Sequence, residues 1–205
     1  MHRGARGKHS EVSVEGATIM ATIMGISGSV RTASFNSMLL RALAAAAAPR
    51  ATVDIVSIRE VPLYDGDWEA AHGVPLPVQQ LKDRLAAADG LLLVTPEYNN
   101  SIPGVLKNTI DWMSRPPADI PRVFRNKPVA IAGATPGPGG TLLSQAAWLP
   151  VIRTLGMLPW FAGRLQISSA ATVFDTTGAI VDDAVRNRVR TFTDGFVAFV
   201  ERMPR

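Results

Sequence analysis

Short apolar runs alternate along this chain with stretches whose apolar residues recur every three or four positions. Residues 18–24 form the first run, a short buried strand. Residues 37–48, rich in Leu and Ala and stopped by Pro49, predict a helix. A second strand follows at 53–58, then a loop at 60–67. Within 77–88, Val78, Leu81, Leu85 and Ala88 fall at helical spacing, with Pro77 near the first turn. Residues 91–95 lie between Gly90 and Pro96 and read as a central buried strand. The next helix takes Ser101 as its N-cap and Pro103 in its first turn. Its apolar stripe is Ile102, Val105, Leu106, Ile110 and Met113, and Arg115-Pro116-Pro117 ends it. A fourth strand at 128–134 leads through a Gly/Pro loop, 135–140, into a helix that Pro150 is expected to kink or end, having no N–H for the preceding turn. Residues 158–167 make a fifth strand-like run. Val185, Val189, Phe192, Phe196 and Val200 mark the stripe of a long terminal helix.

Strands alternating with helices predict an α/β fold: a doubly wound, five-stranded parallel sheet with helices on both faces. Such sheets bind ligands beyond the carboxyl ends of their strands, at a topological switch point. Polar or Gly-rich loops at 29–36, 96–101 and 135–140 follow strands one, three and four. In the flavodoxin-like order 2-1-3-4-5 these strands are neighbours, and their loops converge.

Composition narrows the choices. A chain of 205 residues with 47% hydrophobic content suits one domain, placed at 17–205, behind a polar segment at 1–16 read as a disordered extension. The formal charge is +4, but Arg3, Arg6 and Lys8 supply three of those charges, so +1 remains for the rest and no nucleic-acid surface is implied. The absence of cysteine excludes disulfides, thiolate nucleophiles and iron–sulfur clusters, and the scattered His2, His9 and His72 argue against a metal site. No apolar run reaches membrane-spanning length and no secretory segment is recognisable, so the expected compartment is the cytoplasm.

The first loop carries the strongest chemistry. A strand feeding a helix through a polar loop aims backbone N–H groups and the positive helix end at one point. Gly25 and Gly28 permit close backbone approach; Ser29, Thr32, Ser34 and Asn36 add donors, and Arg31 adds a planar cationic fork. Neither Gly-x-Gly-x-x-Gly nor a Walker lysine is present, which suits a phosphate monoester better than a metal-bound triphosphate. The competing reading is an ordinary turn in which Ser34 or Asn36 caps the helix. In the second loop Pro96, Glu97, Tyr98 and Asn99 offer a flat face and N–H groups to a heterocycle, or else make a plain β-turn with left-handed Asn residues and a solvated Glu97. The third loop, from Thr135 to Gly140, is either a flexible connection or a close approach of backbone to a flat ring.

Three stretches resemble the NADPH-dependent FMN reductase family, which includes chromate and quinone reductases and related azoreductases. They are the run from Gly28 to Asn36, the triplet Leu63-Tyr64-Asp65, and Thr95-Pro96-Glu97-Tyr98-Asn99-Asn100-Ser101-Ile102-Pro103-Gly104 continuing to Asp111-Trp112. The resemblance spans residues 20–165. It implies that Ser29, Arg31, Ser34 and Asn36, with Val30 and Phe35 in the same loop, hold the phosphate of FMN. Pro96, Glu97, Tyr98 and Asn99 would hold the isoalloxazine, and Thr135 would approach it from the third loop. It further implies NADPH or NADH as co-substrate and a quinone, azo compound, chromate or flavin as acceptor. No side chain is needed as nucleophile or base, and the two substrates would take turns in ping-pong fashion. A flavin reductase using FMN as substrate for a monooxygenase, a flavodoxin-like electron carrier and a regulatory flavin sensor are the alternatives. Trp112, Leu142, Leu143 and Trp148 make two helices apolar on more than one side, which predicts a homodimer or homotetramer joined there. Two departures stand out: Leu143 where the family often has Arg in Gly-x-Arg-x-Gln, and Pro150 within the following helix.

Overall fold

The computed structural model describes residues 20–204; the segment 1–16 and the first residues of the predicted opening strand lie outside them. The strand β1 is Ala21–Ser27, later than predicted. Gly25, Ile26 and Ser27 stay in the strand because both edges are paired there, with Ile55 and Val56 on one side and Leu92, Leu93 and Val94 on the other. Then come α1 (Phe35–Ala47), β2 (Ala51–Val56), α2 (Gly66–His72), α3 (Leu76–Ala87) and β3 (Gly90–Val94). After α4 (Gly104–Met113), a 3-10 turn at Pro117–Asp119 runs into α5 (Ile120–Val123). The remainder is β4 (Pro128–Ala134), α6 (Leu142–Leu155), β5 (Leu158–Pro159), β6 (Leu165–Ile167), α7 (Ala170–Val173) and α8 (Asp183–Glu201).

The sheet is parallel with order β2-β1-β3-β4-β5. Period-two alternation sends Leu92 and Val94 of β3 into a core beneath α1 and α8. Leu91 and Leu93 enter a second core beneath α3, α4 and α6. The predicted stripe of α8, from Val185 through Val189, Phe192 and Phe196 to Val200, is buried throughout. Burying both faces is why the central strands are almost wholly apolar.

Several local expectations need correction. The fifth strand is two segments: β5 pairs with Pro128 and Val129, β6 with Ala132 to Ala134, and the intervening chain leaves the ladder. Pro150 does not end α6, which continues to Leu155. Pro150 and Ala146 both lie on the exposed face, so the carbonyl that loses its partner can face water, while Trp148, Ile152 and Leu155 anchor the inner face. Ser101 does not cap α4; Pro103 precedes its first residue. The stretch read as loop at 60–67 leads directly into α2, where the Asp65 carboxylate accepts the N–H groups of Asp67 and Trp68 at 2.9 and 3.2 Å. Gly73, at φ 78°, closes that helix in a geometry that suits glycine.

Candidate functional site

Each of three strands carries its ladder one residue further before its loop departs. Gly28 N–H bonds Val94 O at 2.8 Å, Thr95 N–H bonds Ala132 O at 2.8 Å, and Thr135 N–H bonds Ile167 O at 2.9 Å. The first two loops therefore leave at a common level, while β4 runs two residues further before the third departs. They enclose a cleft of about 230 Å³ lined by Ser29, Arg31, Ser34, Phe35, Asn36, Pro96, Glu97, Tyr98 and Thr135. Of the residues expected at the site, Val30 and Asn99 do not line it. Close approach depends on absent side chains: a Cβ on Gly28 would stand 2.8 Å from both Pro96 and Leu106. Gly25 has a different duty from the one expected. It lies within β1, and its missing Cβ admits Leu40 of α1 and Val53 of β2, so it serves packing and not the loop.

In the first loop Ser34 is the N-cap of α1, its Oγ accepting the Ser37 N–H at 3.4 Å. Capping uses that oxygen as an acceptor and leaves the hydroxyl hydrogen to donate into the cleft. The N–H groups of Phe35 and Asn36, first in the helix, have no acceptor among the described residues. The exposed Arg31 side chain likewise forms no hydrogen bond or ion pair among them. Asn36 is committed elsewhere: its amide donates to Ala134 O at 2.8 Å and accepts from Ala134 N at 2.9 Å. It thus buttons the first loop to the end of β4. Arg59, which gave no signal in the sequence, donates from its guanidinium to Val30 O and braces the loop from the end of β2.

In the second loop Tyr98 and Ser101 bond each other in both directions, at 3.2 and 3.0 Å, around Asn99 and Asn100 at φ 51° and 59°. This is a tight turn of the left-handed type for which Asn is suited. Glu97 is not merely solvated. Its Oε2 accepts the N–H groups of Leu143 and Ser144 at 2.8 and 3.0 Å, placing a carboxylate at the positive end of α6. Leu143, at the position where the family often has arginine, offers its backbone to Glu97 while its side chain is half exposed. Beneath, the buried Thr95 Oγ1 joins Pro96 O, Ser144 Oγ and the indole N–H of Trp148. In the third loop Thr135 Oγ1 accepts the Gly137 N–H at 3.3 Å.

The triplet Leu63-Tyr64-Asp65 lies outside the cleft. Tyr64 N–H donates to Asn108 Oδ1, while Asn108 and Trp112 both donate to Pro62 O. Tyr64 also donates its hydroxyl to Glu69, which raises the phenol's pKa. Burial tends to raise the Glu69 carboxyl, but hydrogen bonds from Arg115 and Tyr64 outweigh it and hold the group below its usual value. The motif residues Asn108 and Trp112 therefore fasten the loop before α2 onto α4. No group of His, Cys, Asp or Glu able to hold a metal occurs among the described residues.

The donor set fits a phosphate monoester joined to a flat ring. Hydroxyls, a guanidinium without a partner among the described residues and two open helix N–H groups line the cleft together with Pro96, Tyr98 and Thr135. The sheet has the flavodoxin-like order, with the cleft beyond the carboxyl ends of its strands, where such folds bind ligands. Residues 21–172 match the family model described as NADPH-dependent FMN reductase, and the chain belongs to that family. Its cofactors are those of the family, FMN and a reduced nicotinamide nucleotide. An NAD(P)H-dependent FMN reductase of Pseudomonas aeruginosa is 38% identical over 88% of this chain and 96% of that protein. A 2-hydroxy-1,4-benzoquinone reductase from a Burkholderia species is 39% identical over 84% of this chain and 92% of its own. Among solved structures, the flavoenzyme NAD(P)H:(acceptor) oxidoreductase FerB from Paracoccus denitrificans superposes with a TM-score of 0.80 at 32% identity. That match covers 89% of this chain and 98% of FerB.

Proposed function

We propose that this protein is a cytoplasmic FMN-dependent NAD(P)H:quinone reductase, with azo compounds, chromate and free flavin as further acceptors. The observation that carries the reading is the single cleft in which the hydroxyls, guanidinium and open helix N–H groups of the first loop meet Pro96, Tyr98 and Thr135 of the other two. Ser29, Arg31, Ser34 and the opening N–H groups of α1 would hold the phosphate. Pro96 and Tyr98 would flank the ring on one side and Thr135 on another, with Glu97 and Asn36 keeping the three loops in register. FMN, when bound, accepts a hydride from the nicotinamide and yields two electrons to the acceptor. The chain's part is to bind, orient and leave one approach open; the reaction needs no side chain as nucleophile.

The experiment is an absorbance spectrum of the purified protein before and after NADPH, without oxygen, followed by a quinone. Near-stoichiometric FMN, bleached by NADPH alone and restored by the quinone, is the expected result. Failure to bleach without a partner protein would reassign the chain as an electron carrier. A colourless preparation that reduces added FMN would make flavin its substrate. Because both substrates must use one opening and hydride transfer requires contact, double-reciprocal plots for NADPH at several quinone concentrations should be parallel. Intersecting lines would mean that both sit on the protein together.

The reading includes a homodimer or homotetramer, on grounds that the structure narrows. Trp112 and Trp148 are 1% and 0% exposed within the single chain, so they are core residues and no argument for an interface. Leu142, Leu143 and Leu149 on α6, with Phe161 beside them, remain exposed, and this group supports association through α6. Light scattering at micromolar concentration should give at least twice the chain mass, and a monomer would reject the association.

A further inference from the structure

Strand β4 loses its outer neighbour part-way along. On that edge Leu158 N–H bonds Lys127 O at 2.9 Å and Trp160 N–H bonds Val129 O at 2.8 Å, and pairing resumes only where Ala132 meets Leu165. Backbone groups alternate between the two edges of a strand, and Ala132 O faces β3, where it accepts the Thr95 N–H. Ile131 therefore faces the break, and its N–H has no acceptor among the described residues. There a hollow of about 370 Å³ opens between the edge of β4 and the exposed face of α6. Val129, Ile131, Leu142, Leu149, Pro159 and Trp160 make its walls chiefly apolar. These walls are fixed from behind. Gln145 donates to Thr141 Oγ1 and Leu165 O, both at 3.1 Å, which ties α6 to β6. Trp160 meets Phe192 edge-on, ring centroids 5.1 Å apart, and a Cβ on Gly195 would stand 2.7 Å from its ring. Arg164 lines the hollow without a hydrogen bond or ion pair among the described residues, and no Asp or Glu lines it.

We propose that this hollow binds a small apolar carboxylate, a flat hydrocarbon body ending in one carboxylate group, at a site separate from the flavin cleft. An apolar hollow of this size with a few placed polar groups is the usual form of a small-molecule site. The walls take the hydrocarbon body, and burying it against them is the main driving force. Arg164 supplies the charge that the carboxylate answers, with a planar fork that suits two oxygens. Ile131 N–H is a donor that the fold leaves unspent, and a ligand oxygen at the strand edge satisfies it. An inorganic phosphate or sulfate suits the hollow poorly, because apolar walls and one cation leave most of its charge unmet. A cationic ligand meets Arg164 with no carboxylate to offset it. The hollow shares no lining residue with the flavin cleft, so the proposal does not depend on the reductase reading.

The test is calorimetric titration of the FMN-loaded protein with 2-naphthoate and with 2-naphthamide, an uncharged probe of the same shape. The variants are Arg164→Ala and Ala146→Phe, the second chosen to fill the hollow from α6. Both positions are exposed and outside the flavin cleft, so retained FMN content controls for folding. Wild type should bind the carboxylate about fivefold tighter than the amide, a margin that added salt reduces. Arg164→Ala should erase the margin and leave the amide unchanged. Ala146→Phe should weaken both probes by about tenfold or more. Equal binding of the two probes, or a margin that survives Arg164→Ala, overturns the carboxylate assignment. No binding of either probe, or binding that Ala146→Phe leaves unchanged, removes the site. Leu142, Leu149 and Phe161 also belong to the exposed group that supports association, so titrations are run at protein concentrations below and above association by light scattering. Naphthoate that binds only the monomer would make a second copy of this chain the occupant and overturn the proposal. If wild type oxidises no nicotinamide nucleotide, the reductase reading falls, and the titrations still decide the hollow.

Discussion

Arg31→Ala should weaken FMN binding by about 1.5–3 kcal/mol, roughly ten- to 150-fold in Kd, while riboflavin binds wild type and variant alike. The size follows from charge-assisted hydrogen bonding by a side chain that has no competing partner among the described residues. Arg31 stands in the loop between the Ser29 hydroxyl and the Ser34 cap, facing the cleft into which the first N–H groups of α1 open. Riboflavin lacks the phosphate, so it reports the ring end of the cleft by itself. Fluorescence titration of the apoprotein with both flavins separates the two ends. If the variant loses riboflavin as strongly as FMN, Arg31 acts on the ring or on the fold, and the phosphate assignment is wrong.

The second large effect concerns Gly133, the penultimate residue of β4. A Cβ there would fall well inside van der Waals contact with the Thr141 hydroxyl and the Thr95 carbonyl oxygen. Neither neighbour can yield cheaply. Thr141 is fully buried at φ 65°, just ahead of α6, and Thr95 is the buried residue from which the second loop departs. Gly133→Ala should therefore cost about 3 kcal/mol, or roughly 6–12 °C in Tm for a chain of this size. It should also weaken FMN, because Thr135 and Pro96 must move apart. Gly104→Ala is the control: its Cβ would meet nothing within 4 Å at the start of α4, so its Tm should stay within about 2 °C of wild type. A Gly133→Ala protein that melts with the control would show that the β4 end tolerates side chains, and the tight junction of the second and third loops would have to be abandoned.

The periodicities of this chain determined the sheet and its helices. Apolar runs alternating with helical stripes indicate a parallel sheet covered on both faces, since a strand buried on both faces must be apolar at every residue. The order 2-1-3-4-5 came with the flavodoxin-like expectation, and the division of the last run into β5 and β6 was not legible. The loops at 29–36, 96–101 and 135–140 were also legible, because Gly, Pro, Ser and Asn at strand ends have local backbone meaning. Tertiary structure decided what each side chain does there. Glu97 reads as a solvated turn residue until α6, more than forty positions later, brings the Leu143 and Ser144 N–H groups onto its carboxylate. Asn36 reads as a phosphate donor or a cap, yet the end of β4 takes both ends of its amide. Trp112 stands off its helical stripe and suggests an interface, but the Pro62 carbonyl and the Tyr64 ring cover it from within the same chain. Arg59 is an unremarked cation until Val30 O meets it at the loop. Patterning reports the solvent each residue avoids, a local property of the chain. A hydrogen-bond partner depends on which distant segment the fold delivers, and no spacing along the sequence encodes that distance.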